Sequence, residues 1–151
     1  MHLFSKKQMD LNWENENVRN SVYEMMRWWL DKGIDGFRMD VINFISKTPG
    51  LPDANAFLGI LTGYKGAEYY FYGPRLHEYL REMREKAFGD YDVYTVGECG
   101  GAGIEMDKML TADYRKELDT VFNFDFLINQ GHDKYDTFDY SLYKVMREFE
   151  K

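Results

Sequence analysis

Regular alternation of helical and strand-like segments predicts an α/β fold of parallel strand–helix–strand units. Three observations carry that prediction. The hydrophobic pattern runs helix–strand–helix–strand–helix–strand–helix along the 151 residues. The strands are apolar on both faces, as expected where helices cover a parallel sheet. The first two strands each end in charged residues, and parallel α/β folds build their sites at the C-terminal ends of strands.

Each element has its own signal. Residues 1–14 are mixed and turn-like, with Leu11 and Trp13 as apolar anchors. From Asn15 to Lys32, Val18, Val22, Met25, Met26, Trp29 and Leu30 recur at helical spacing, with Glu16, Arg19, Asn20, Glu24, Arg27 and Asp31 opposite. Asn15 or Asn17 caps the start and Gly33 stops the helix. Ile34 to Asp40 is the first strand. Residues 43–72 read as a long connection, and one of that length is usually functional or disordered. Its aromatic residues, Phe57, Tyr64, Tyr69, Tyr70, Phe71 and Tyr72, argue for order. Gly73-Pro74 opens the second helix with proline in its first turn, and Leu76, Tyr79, Leu80, Met83 and Ala87 form its apolar stripe. Asp92 to Glu98 is the second strand, residues 104–117 a short helix or helical turns, and Leu118 to Leu127 the third strand. A polar loop, 129–139, precedes a last helix from Tyr140 to Lys151.

Composition narrows the function. At 44% hydrophobic and 17% aromatic the chain has the material for one real core. A net charge of −7 disfavours nucleic acid and anionic membrane as partners and suits a neutral ligand. A single cysteine, Cys99, forms no internal disulfide, which fits a cytoplasmic protein. No apolar run approaches the ~18 residues of a membrane span, and the N-terminus lacks a secretion signal.

The chemistry gathers at the strand ends. Arg38 and Asp40 are two apart on the first strand and point to the same side. Glu98 ends the second strand. Two carboxylates at equivalent ends of neighbouring parallel strands face one cleft. In glycoside hydrolysis one such group attacks the sugar while the other protonates the leaving oxygen. Arg38 favours the ionised form of Asp40, and apolar neighbours would make Glu98 hold its proton longer. A structural ion pair or a Mg²⁺ site would use the same residue types.

The stretches Gly36-Phe37-Arg38-Met39-Asp40-Val41-Ile42-Asn43 and Val96-Gly97-Glu98 resemble hallmark segments of the α-amylase family, glycoside hydrolase family 13. Leu3-Phe4-Ser5-Lys6-Lys7-Gln8, Asp10-Leu11-Asn12-Trp13 and Gly73-Pro74-Arg75-Leu76-His77-Glu78-Tyr79-Leu80 extend the likeness to its oligo-1,6-glucosidases and α-glucosidases. The resemblance implies a partial (β/α)8 TIM barrel, about strands four to six with flanking helices. Residues 1–14 would lead out of a small inserted domain and residues 15–151 would be β/α units of the catalytic barrel. It implies that Asp40 is the nucleophile, Glu98 the acid/base, Arg38 the group that positions the nucleophile, and Val41 a residue favouring α-1,6 over α-1,4 linkages. The implied reaction is hydrolysis of terminal α-1,6-glucosidic bonds in isomalto-oligosaccharides, with no cofactor or metal. Hydrolysis of α-1,4 bonds, trehalose-6-phosphate hydrolysis and sucrose isomerisation use the same chemistry. The family's third catalytic carboxylate and sugar-gripping histidines have no counterpart here, so a fragment inactive on its own is expected. The rival from another class is a non-catalytic piece that self-associates through unpaired strand edges.

Other residues have plainer readings. Cys99 is a small buried side chain, and His77, beside Glu78 and Arg81, is solvated surface. His2 and His132 lack a second ligand at zinc spacing. Residues 69–72 either stack on sugar rings or pack on the rim. Asp125 would line the cleft, and Asn129-Gln130-Gly131-His132-Asp133 is a solvated loop.

Overall fold

The computed structural model describes residues 2–122 except Gly63 and Ala102. The third strand beyond Phe122, the 129–139 loop, Asp125, His132 and the last helix expected from sequence lie outside the described residues. Helix α1 spans Glu16–Leu30, and Asn15 is its cap, its side chain accepting from the Asn17 backbone N–H at 3.0 Å. Gly33, at φ +90°, takes the left-handed turn that sends the chain into the sheet.

Strands β1 (Gly36–Met39), β2 (Tyr94–Glu98) and β3 (Thr120–Phe122) lie in that order, all parallel. Gly36 pairs with Tyr94 and Met39 with Gly97. A Cβ at position 36 would stand 1.9 Å from the Tyr94 carbonyl oxygen, so only glycine lets β1 and β2 approach there.

The core fills one side of this sheet. Tyr23, Met26 and Leu30 of α1 meet Leu76, Leu80, Met83, Ala87 and Phe88 of α4 (Leu76–Phe88), over Met39, Val93 and Leu118. Phe37 stacks on Phe88 with ring centroids 5.8 Å apart. Burying each such side chain contributes about 1.5–3 kcal/mol. The opposite face, with Arg38, Tyr94, Val96, Glu98 and Phe122, carries no helix among the described residues; Tyr94 is 59% and Phe122 43% exposed. Helices on one face of a parallel sheet are what the expected partial barrel, with its outer ring of helices, requires.

Helix α1 docks through one edge of the expected stripe, with Met26 and Leu30 buried and Val22 packed against the core. Tyr23 is buried, whereas Met25 and Trp29 are exposed. Arg19, assigned to the polar side, is buried along the same line of contact and binds Glu82 at 2.8 Å and the Trp13 carbonyl at 2.8 Å. A long guanidinium side chain can cross an apolar contact and find carboxylate and carbonyl partners beyond it.

The long connection is not structureless: it holds a 3₁₀ turn at Ile42–Phe44 and helices α2 (Ala56–Thr62) and α3 (Ala67–Tyr70). Pro74 lies in the turn before α4 rather than inside it, and the Arg75 N–H donates to Ser46 Oγ at 2.9 Å. After β2 come α5 (Gly103–Thr111) and a 3₁₀ turn at Asp113–Arg115.

Two carboxylates pin β3 and its approach. The buried Glu117 accepts from Arg81 and Arg115, each at 2.9 Å, and its other oxygen lies 2.6 Å from His77 Nδ1. His77 is thus tied to a buried acid, not simply solvated, because α4 turns its first exposed turn towards the entry of β3. Asp119 takes a bidentate pair from Arg84 at 2.9 and 3.0 Å and accepts from the Thr95 N–H and hydroxyl.

Candidate active site

Alternation along β1 puts Arg38 on the open face, and one register step past Met39–Gly97 sets Asp40 level with Glu98. The three side chains meet. Arg38 donates through Nη1 to Asp40 Oδ1 and through Nη2 to Glu98 Oε2, so a single guanidinium spans both strand ends. Hydrogen bonding from Arg38, and next the contact with Glu98, holds the Asp40 carboxyl below the usual aspartate value. Asp40 is 70% exposed and Glu98 23%. Glu98 faces Arg38 rather than the apolar surroundings expected from its strand, because the arginine reaches across from β1.

Val41 follows in the left-handed region, at φ 38° and ψ 45°. That is a rare conformation for a β-branched residue and stores about 1–3 kcal/mol of strain. It ends β1 abruptly and starts the turn in which the Phe44 N–H donates to the Val41 carbonyl at 2.9 Å. A hollow of about 140 Å³ opens beside Asp40 and Val41, walled by Phe4, Met9, Phe44 and Ile45.

Other residues around the pair are held by burial and packing. Cys99, next to Glu98, is buried, and burial pushes its thiol up to about 12, which leaves it unreactive. Phe71 stacks on Phe44 at 4.5 Å, and Tyr70 meets both rings edge-on, so these aromatics pack on one another. Among the described residues no three His, Cys, Asp or Glu side chains are grouped to hold a metal ion.

Sequence reasoning gave no role to Asn43 and read Tyr72 only among the aromatics that stack on sugar or pack on the rim. Asn43 is fully buried, and its Nδ2 donates to the Gly100 carbonyl at 3.2 Å. The Tyr72 hydroxyl donates to the same carbonyl at 3.0 Å, and the Tyr72 N–H donates to the Asn43 carbonyl at 3.0 Å. The signal was present as one amide in the otherwise apolar run Val41–Ile45.

Residues 1–150 match the alpha-amylase catalytic domain. The chain belongs to the alpha-amylase family. It is 54% identical over 132 residues to the oligo-1,6-glucosidase of Halalkalibacterium halodurans, covering 87% of this chain and 23% of that protein. It is 48% identical over 124 residues to the trehalose-6-phosphate hydrolase of Bacillus subtilis, covering 82% and 21%. The crystal structure of Bacillus licheniformis trehalose-6-phosphate hydrolase superposes with a TM-score of 0.85 at 42% identity, covering 99% of this chain and 26% of that one. A trehalulose synthase variant in complex with sucrose gives 0.83 at 38%, again covering 99% and 26%. The chain therefore spans about a quarter of the length of these relatives. Its three parallel strands and flanking helices are part of a β/α barrel, and its relatives are glycoside hydrolases and sucrose-converting enzymes of that family. No helix among the described residues is long and apolar enough to cross a membrane.

Proposed function

We propose that this segment carries the two reacting carboxylates of a retaining α-glucosidase that cleaves terminal α-1,6-glucosidic bonds of isomalto-oligosaccharides. The observation that carries this reading is the sharing of Arg38 by Asp40 and Glu98. Carboxylates held on one guanidinium suit the ~5–5.5 Å separation of retaining enzymes better than the ~6.5–9.5 Å of inverting ones, which must admit a water. Asp40, kept ionised by Arg38, attacks the anomeric carbon as Glu98 protonates the departing oxygen. Glu98 then takes a proton from water, which hydrolyses the glucosyl ester and frees Asp40.

Val41 borders the same hollow as Asp40, and we assign it the preference for α-1,6 linkages. Identities of 54% and 55% to oligo-1,6-glucosidases, against 48% to the trehalose-6-phosphate hydrolase of Bacillus subtilis, support this reading over trehalose 6-phosphate as substrate. We take residues 1–14 as the exit from an inserted domain, residues 15–151 as β/α units, and the cytoplasm as the compartment, given one buried thiol.

Alone, the 151-residue chain is inactive and self-associating on this reading. Among the described residues the reacting face is exposed at Asp40 and Tyr94, which admits water to the carboxylates, and β1 is an edge strand that can pair with a second copy. In a whole barrel carrying this segment, Asp40→Asn abolishes isomaltose hydrolysis with the fold intact, and Val41→Thr shifts preference towards maltose. Retained turnover in Asp40→Asn removes it as nucleophile, and sedimentation of the isolated chain as a clean monomer removes the self-association.

A further inference from the structure

We infer that Asn43 and Tyr72 are positioning residues that set the spacing of Asp40 and Glu98 by clamping the loops behind them to a single backbone carbonyl, that of Gly100. The inference rests on the reading of Asp40 and Glu98 as the reacting pair. Asn43 lies three residues after Asp40, and Gly100 two residues after Glu98. Asn43 Nδ2 and the Tyr72 hydroxyl both donate to the Gly100 oxygen, at 3.2 and 3.0 Å, and the Tyr72 N–H closes the triangle on the Asn43 carbonyl at 3.0 Å. The sheet register fixes β1 against β2 only as far as Met39 and Gly97. Beyond it the described β1 and β2 share no ladder, although Glu98 still pairs with Phe122 of β3, and the clamp links the two chains where the carboxylates begin.

Two further features fit a positioning role. Val41 and Tyr72 both sit in the left-handed region, at φ 38° and 49°. Strained residues persist where the surroundings over-determine them, and they gather at working sites. Asn43 is wholly buried, yet its Oδ1 has no hydrogen-bond partner among the described residues. An amide kept at that cost is kept for what its other end holds. In a site where a displacement of about 1 Å can cost roughly a hundredfold in rate, a carbonyl shared between the two loops is an economical ruler.

The test uses the 151-residue chain and does not depend on turnover. The Asp40 carboxyl is titrated by ¹³C NMR in the parent, in Tyr72→Phe, and in Tyr91→Phe as a control that removes a remote hydroxyl bound to Asp31 at 2.6 Å. Hydrogen bonds from Arg38 and then Glu98 lower the Asp40 value against a smaller opposing effect of burial, so a change in the geometry of these groups reads out there. In Tyr72→Phe the Asp40 midpoint rises towards the ordinary aspartate value, and in Tyr91→Phe it stays. Should Tyr72→Phe not fold, Asn43→Ser drops the other donor and carries the same expectation. A folded clamp variant whose Asp40 titrates as in the parent, having lost only stability, overturns the inference. Failure of Asp40 as nucleophile would appear in turnover instead and leave this titration untouched.

Discussion

Glu117→Gln should destabilise this chain more than any change to the exposed carboxylates of the site. Glutamine keeps the shape of the side chain but removes the charge that faces Arg81 and Arg115 at 2.9 Å and His77 at 2.6 Å. Breaking a buried pair by neutralising one member costs about 3–5 kcal/mol, because the partner is left desolvated. Arg81 is half exposed and recovers water, whereas Arg115 is only 20% exposed and does not. The low end, about 3 kcal/mol, therefore applies. Against a total of about 5–15 kcal/mol this is a large fraction, and at this chain length it lowers Tm by roughly 6–12 °C. Urea and thermal unfolding followed by far-UV circular dichroism read it directly. Replacing Glu117 and Arg115 together by leucine and methionine should cost less than Glu117→Gln alone, since no charge is then stranded. A Glu117→Gln midpoint equal to the parent's would refute the reasoning.

Three further outcomes follow from the same physics. Asp119 is pushed up by burial, but hydrogen bonds from Arg84 and Thr95 outweigh this and leave its pKa below the ordinary value. Its contribution is thus full above the unfolded aspartate value of about 3.9 and is lost as pH falls through the depressed folded value. Asp119→Asn should cost about 1–2 kcal/mol at pH 7 and nothing at the acid end, a convergence that urea midpoints across pH will test. Gly36→Ala drives a methyl into the Tyr94 carbonyl, so it should cost about 1–3 kcal/mol or more and free Arg38 from Glu98; an unchanged urea midpoint would contradict the register. Arg38→Met should scarcely move the unfolding midpoint, because exposed ion pairs stabilise little, while the Asp40 titration rises; a fall would contradict the assigned cause.

Much of this was legible in the sequence because the local signals are strong. Asn15, the stretch ending at Gly33 and the β-branched run before Glu98 fixed α1 and the first two strands, and period-two alternation put Arg38 and Asp40 on one side. The misreadings share one cause: a single residue type was judged without its tertiary partner. Arg19 looked solvated until Glu82 and the Trp13 carbonyl came within reach, and His77 until Glu117 did. Met25 and Trp29 looked buried because periodicity gives an apolar stripe without saying which edge of it meets α4. The helices inside residues 43–72 were hidden by glycines and prolines, which read as loop when their neighbours are not known. Asn43 went unassigned because its partner, a backbone carbonyl, leaves no trace in a side-chain pattern.

In the proposed mechanism Asp40 is the group that takes up the glucosyl residue. A whole barrel carrying this segment, treated with a fluorinated glucosyl fluoride that forms the ester quickly and releases it slowly, should lose the anomeric fluoride to solvent and gain one fluoroglucosyl mass. Peptide mapping by mass spectrometry should place that mass on Asp40. Inactivation with the label on another carboxylate, or turnover that never labels the peptide holding residues 36–43, would contradict it.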